Sequence, residues 1–174
     1  AAMVGLISAL LLLACDSDPV MSPSPDHGIS SCPAKLTDLS GLTATTHRGI
    51  IDTDMLWTAA TSPHVIEENV TLSNATLTIE PCAVVLVDAD VPLVADAGAH
   101  IVAEGTAAMP IVFSRHEADR WDYLLVKEAG TASLSFVTLS GGGADLITYD
   151  GATLVADGPT NRPYVQNLTV RDVT

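Results

Sequence analysis

Residues 98–112, GAHIVAEGTAAMPIV, return as residues 151–165, GATLVADGPTNRPYV, with no gap. Seven positions are identical, among them Gly98/Gly151, Gly105/Gly158 and Pro110/Pro163. Gly and Pro punctuate a chain more strongly than any other residues, so the turns recur at matched places. The displacement from 98 to 151 is 53 residues. That corresponds to two circuits of roughly 26 residues, inside the range of solenoid repeats.

Local patterning within and around the repeat indicates strands. Val70 and Leu72 share one parity, and Ala75, Leu77 and Ile79 share another, with Thr76, Thr78 and Glu80 opposite them. That is period two. The parity changes across Ser73-Asn74, where a bend is expected. Further strands are expected at 83–87, 91–95, 99–103, 111–114, 123–126, 134–139 and 168–171. They are short and separated by Pro81, Gly98, Gly105, Pro110, Gly130 and Gly141-Gly142-Gly143. No stretch after Ser40 has a helical period. A β-sandwich would also use many short strands. The repeat favours like stacked on like, because sandwich strands come from distinct hairpins.

Composition agrees. Apolar residues make up 48% of the chain but aromatics only 4%, so the core is built from Val, Leu, Ile and Ala. Thin, repetitive interiors of stacked strands suit such a set. The charge is lopsided, with 21 acidic against 7 basic residues and a net charge of −14. Such a surface repels phosphate backbones, which argues against nucleic acid as a partner.

The N-terminus reads as an address. Residues 3–14, MVGLISALLLLA, are too short an apolar run to span a bilayer as a helix, and suit a signal peptide. The run ends at Leu12-Leu13-Ala14-Cys15, which resembles the bacterial lipobox. The resemblance implies cleavage before Cys15, lipidation of that cysteine, and export to the bacterial cell envelope, at the outer membrane or cell surface. A segment rich in Pro, Ser and Asp follows, DSDPVMSPSPDHGISS, and reads as an extended tether. Acyl chains would hold such a protein to a membrane, at about 0.8 kcal/mol per buried methylene. Cys32 and Cys82 are then left as a pair. In an exported chain they suggest a disulfide, with two free thiols as the alternative. The expected organisation is a signal peptide over 1–14, a polar tether over 15–34, a cap region or preceding strand pair over 35–68, and stacked strands over 69–174.

The order Val70-Thr71-Leu72, Leu77-Thr78-Ile79-Glu80-Pro81, Ile101-Val102-Ala103-Glu104-Gly105-Thr106, Pro110-Ile111-Val112-Phe113-Ser114, Trp121 and Leu134-Ser135-Phe136-Val137 makes the expectation more specific. It resembles the opening of the right-handed parallel β-helix proteins of bacterial surfaces, in the pectate-lyase-like superfamily. Members often carry Gly where Cys82 stands, and Trp-Gly-Gly where Trp121-Asp122-Tyr123 stands. The resemblance implies an all-β, right-handed parallel β-helix, with further coils and a cap beyond Thr174. It does not imply an activity, since one fold hosts many functions.

Lyases of this superfamily hold calcium on carboxylates of one sheet and use Arg or Lys as base. Asp88 and Asp90 are spaced to point the same way, with Asp96 and Glu104 following. A polar cluster, Arg115, His116, Glu117, Asp119, Arg120 and Asp122, precedes Trp121 and is the best candidate site. Its plainer reading is a solvated loop. The five histidines show no metal-ligand spacing, and no cofactor or metal site is implied. Gly141-Gly142-Gly143-Ala144-Asp145 reads as a turn. Trp57 and Trp121 suit either sugar stacking or anchoring of the core. The expected function is therefore a non-catalytic, membrane-anchored β-helix with a structural or binding role, its partner a carbohydrate or another surface protein. The alternatives are a polysaccharide lyase or glycosidase with catalytic coils beyond Thr174, and a sandwich adhesion module.

Overall fold

The computed structural model describes residues 31–33, 38–127, 129–145, 147–157, 164–166 and 169–171. The expected leader, Cys15 and most of the tether lie outside the described residues. Among the described residues there are fourteen strands, most of them alternating inward aliphatic residues with outward ones. The first seven are β1 (Thr45–Ile51), β2 (Met55–Trp57), β3 (His64–Leu72), β4 (Thr76–Ile79), β5 (Val84–Val87), β6 (Leu93–Ala95) and β7 (His100–Glu104). The rest are β8 (Ile111–Arg115), β9 (Leu124–Val126), β10 (Thr131–Ser135), β11 (Val137–Ser140), β12 (Leu154–Ala156), β13 (Tyr164–Gln166) and β14 (Thr169–Arg171). A short 3₁₀ turn, Ala59–Thr61, is the one helical element among the described residues.

The strand pairings are parallel throughout. Antiparallel hairpins, which a sandwich requires, do not occur among them. One sheet runs β12-β9-β6-β3-β5-β8-β11-β14, with β1 also on β3; the other runs β13-β10-β7-β4-β2. β3 shows how the chain curls. Its first half pairs with β5 and its second half with β6, so the sheet turns across Glu67 and Glu68. The chain then passes through β4 in the second sheet before β5 returns beside the start of β3. Strongly curled parallel sheets of this kind are compatible with a β-solenoid.

Side-chain parity places the core. Inward columns run Met55–Leu77–Ile101–Ala132 and Trp57–Ile79–Ala103–Leu134 in the second sheet, and Leu72–Ala95–Val126 in the first. Apart from Met55, which is partly exposed, these residues are buried. In Ile79–Ala103–Leu134 and Leu72–Ala95–Val126 a small residue sits between larger ones, which helps the interior reach close packing.

The expected bend at Ser73-Asn74 is present. Asn74 has φ 52°, and Gly98 stands over it with φ 67°. A Cβ on Gly98 would come within 2.5 Å of the Asn74 Oδ1 atom, so this corner requires glycine for both space and dihedral.

Two expectations are corrected. The stretch expected as a single strand over 134–139 is two strands, split by Phe136 at φ 50°. Leu134 and Val137 both face inward, and an unbroken strand cannot point residues three apart to one side. The internal repeat, in turn, does not superpose its two copies. Ile101 lies in the second sheet on Ala132, whereas Leu154 lies in the first sheet on Leu124. The cause is that the circuits differ in length. The advance is 21 residues from His64 to Val85, 24 from Leu77 to Ile101, and 31 from Ile101 to Ala132. A constant displacement of 53 therefore lands on a different face.

Candidate functional site

The loop that carries the polar cluster begins where β8 ends and crosses over to β9. Its backbone is held from both neighbouring levels. The His116 amide donates to the Val87 carbonyl at 2.8 Å, and the Trp121 amide donates to the Gly141 carbonyl at 3.2 Å. The six residues do not converge. His116 Nδ1 meets Asp88 Oδ1 at 2.6 Å, in a partly exposed pair. Arg120 donates from Nη1 to the Gly142 carbonyl at 3.0 Å. Arg115 lays its methylenes along Gly141, where an added Cβ would sit 3.0 Å from Cγ and Cδ. Glu117 and Asp119 are exposed. Burial pushes the Asp122 carboxyl above the ordinary range, and the charges of Asp145 and Asp90 add to the effect.

A shallow depression of about 450 Å³ gathers part of the cluster: Asp90, Arg115, Asp119 and Arg120, with Ala118 and Ala144. Two cations among carboxylates at its rim can bind a polar surface group. The carboxylates expected to form a row are dispersed. Asp88 is taken by His116. Asp96 is paired with Lys127 at 2.9 Å, and that hydrogen bond holds its carboxyl below the usual range. Glu104 accepts from the Ser133 hydroxyl at 2.6 Å. Among the described residues, no three His, Cys, Asp or Glu side chains are grouped to hold a metal ion.

Both tryptophans are core anchors. Trp121 is 0% exposed and donates from Nε1 to the Ser140 carbonyl at 2.8 Å; Trp57 is 1% exposed. Neither offers a face to a sugar ring.

A second concavity, about 580 Å³, lies on the outer face of the first sheet. Leu39 and Leu42 overhang it, Val65 and Val84 form its floor, and Arg115 and His116 stand at its end. The segment carrying Leu39 and Leu42 begins near Cys32, which is disulfide-bonded to Cys82 with 5.3 Å between Cα atoms. Cys82 sits at a corner with φ 69°, a dihedral that costs a non-glycine residue about 1–2 kcal/mol.

The grouping that sequence reading missed is His47, Trp57 and His64. His47 stacks on the Trp57 indole at 4.2 Å between centroids, and His47 Nε2 lies 3.0 Å from His64 Nδ1. The sequence signal was parity alone: His47 is two residues from Thr45 and four from Ile51, on the inward side of β1.

Comparison with protein-family models, with curated proteins and with solved structures finds no match.

Proposed function

We propose that this chain is a surface-anchored lipoprotein with a structural or binding role, built as a right-handed parallel β-helix of the pectate-lyase-like kind. The observation that carries the reading is the ladder Met55–Leu77–Ile101–Ala132, in which parallel strands of successive circuits lie one on the next. Crossovers between parallel strands of one sheet are right-handed in nearly all proteins, which gives the coil its hand. A stack of this kind is a stiff rod whose outer faces can be presented to a carbohydrate or to another surface protein. The order of apolar leader, cysteine and polar tether supports a rod held away from a membrane by lipid on Cys15.

Mass spectrometry of the full chain produced in a bacterium tests the anchor. Cys15 is expected to carry acyl mass and the protein to sediment with membranes, and Cys15→Ser to abolish both. A wild-type chain without acyl mass on Cys15 overturns the anchoring.

A further inference from the structure

We propose that the first circuit described is an acid-released clasp: uptake of two protons by the His47–His64 pair breaks the imidazole bond between β1 and β3, and loosens β1 while the later circuits stay folded.

The proton positions follow from geometry. His64 Nε2 is 2.9 Å from the Thr58 carbonyl oxygen, which can only accept. His64 therefore carries its proton on Nε2, and its Nδ1 holds a lone pair. That lone pair faces His47 Nε2 at 3.0 Å, so His47 is the donor. One arrangement satisfies every partner, with both rings neutral. A first added proton enters at Nδ1 of His47 and leaves the bond in place. The second must go to Nδ1 of His64, and then each of the facing nitrogens carries hydrogen. The bond is lost, and two cations remain beside Trp57, that of His64 buried and that of His47 partly exposed.

The surroundings do little to relieve them. On β1, Arg48 adds positive charge and reaches out to Glu67 and Glu68 of β3 at 3.9 and 3.7 Å. Asp52, beyond β1, lines the same small depression as His47, Arg48 and Met55. Glu80, beyond β4, is bound to the Ala59 amide at 3.3 Å. The β5 partner of His64 is Val85. Met55 Sδ accepts from Trp57 Nε1 at 3.1 Å, and the Thr61 hydroxyl is 3.4 Å from His64 Nε2. Among the described residues, neither imidazole has a carboxylate partner.

Burial depresses the pKa of both rings; that of His47, further lowered by the charge of His64, falls to about 4. In opened chain an imidazole titrates near 6.5. Groups depressed by folding stabilise the closed form above their open-state value. The clasp is therefore complete above about pH 6.5 and lost as pH falls toward about 4. The pairing places the break in β1: among the described residues β1 pairs with β3 alone, whereas β3 is also held by β5 and β6.

Amide hydrogen exchange of the full chain across this range tests the proposal. Protection factors in β1 should fall by up to about a hundredfold per pH unit below 6.5, tenfold for each of the two protons, while those of β7 and β10 hold. His64→Gln keeps a donor toward Thr58 and an acceptor toward His47 but removes one titration, and should flatten the β1 profile. His100→Gln, at an exposed ring bonded to Thr131, should not change it. Nitrogen NMR of the wild-type imidazoles gives a reading independent of any variant, with His64 expected as the Nε2–H tautomer at neutral pH. Loss of protection in β1, β7 and β10 at one pH would overturn the clasp. So would imidazoles that titrate near 6.5 with β1 still protected.

Discussion

Trp57 and Trp121 are both buried in one aliphatic core, but they solve different problems. Trp57 stands at the foot of the column Ile79–Ala103–Leu134, in the first circuit described. With no strand of the described residues beneath it, the indole is flanked by two imidazoles and Met55. Trp121 lies in the middle of the stack, where the loop after β8 interrupts the strand pattern. Its N–H reaches the Ser140 carbonyl, and its ring presses on Gly142, where a Cβ would sit 2.9 Å from Cε2. The columns between them are built mainly of Val, Leu, Ile and Ala, with one ring, Phe113 of β8, seated between Val85 and Leu139. The two indoles stand where repetition fails, at the edge of the described stack and at an irregular loop.

The comparison predicts unequal losses. Trp121→Ala should cost about 3–5 kcal/mol in urea unfolding, because a mid-stack cavity is walled by levels on both sides and the Ser140 carbonyl loses its donor. Trp57→Ala should cost less globally and act locally, loosening β1 and β2. Equal losses would mean that the first circuit is as integral as the middle ones.

The disulfide sharpens the same contrast, since it ties the segment outside the first sheet to the corner before β5. Closing a loop with a sequence separation of 50 residues is worth up to about 4 kcal/mol in the chain-entropy model. Cys32→Ser with Cys82→Ser should lose a good part of that. Cys32→Ser with Cys82→Gly should recover about 1 kcal/mol of it, because glycine accepts φ 69° without strain. If serine and glycine at Cys82 behave alike in thermal unfolding, the corner is not strained.

The smallest effect lies beside Trp121. The Thr153 hydroxyl is buried against Gly142 and has no hydrogen-bond partner among the described residues. Thr153→Val should be neutral to stabilising, by about 1 kcal/mol, read as a raised Tm. A clear loss would show that the hydroxyl is satisfied.

What could be read from the sequence was whatever depends on neighbours along the chain. The parities of Val70/Leu72 and Ala75/Leu77/Ile79, and the bend at Asn74 between them, are local and were legible. The Cys32–Cys82 link was legible as the pair left when the lipobox resemblance sets Cys15 aside. What was hidden depends on the level above or below. His47 and His64 are 17 residues apart and meet only because β1 lies on β3 in one register. Asp88 meets His116 for the same reason, 28 residues on. The polar loop was visible as a run of charged residues, but its division between Asp88, Gly142 and the Asp90 depression follows from circuit lengths that vary from 19 to 31 residues. The repeat over 98–112 and 151–165 promised a constant length and so misplaced its second copy.

The central claim is that successive circuits stack in parallel. Backbone NMR on isotopically labelled protein tests it most directly. The account predicts amide contacts between Leu77 and Ile101 and between Ile101 and Ala132, with neighbouring pairs advancing together in both strands, as Thr78 with Val102 and Val102 with Ser133. Short Hα–Hα contacts between strands whose partners run in opposite directions would mark antiparallel pairing and contradict the account.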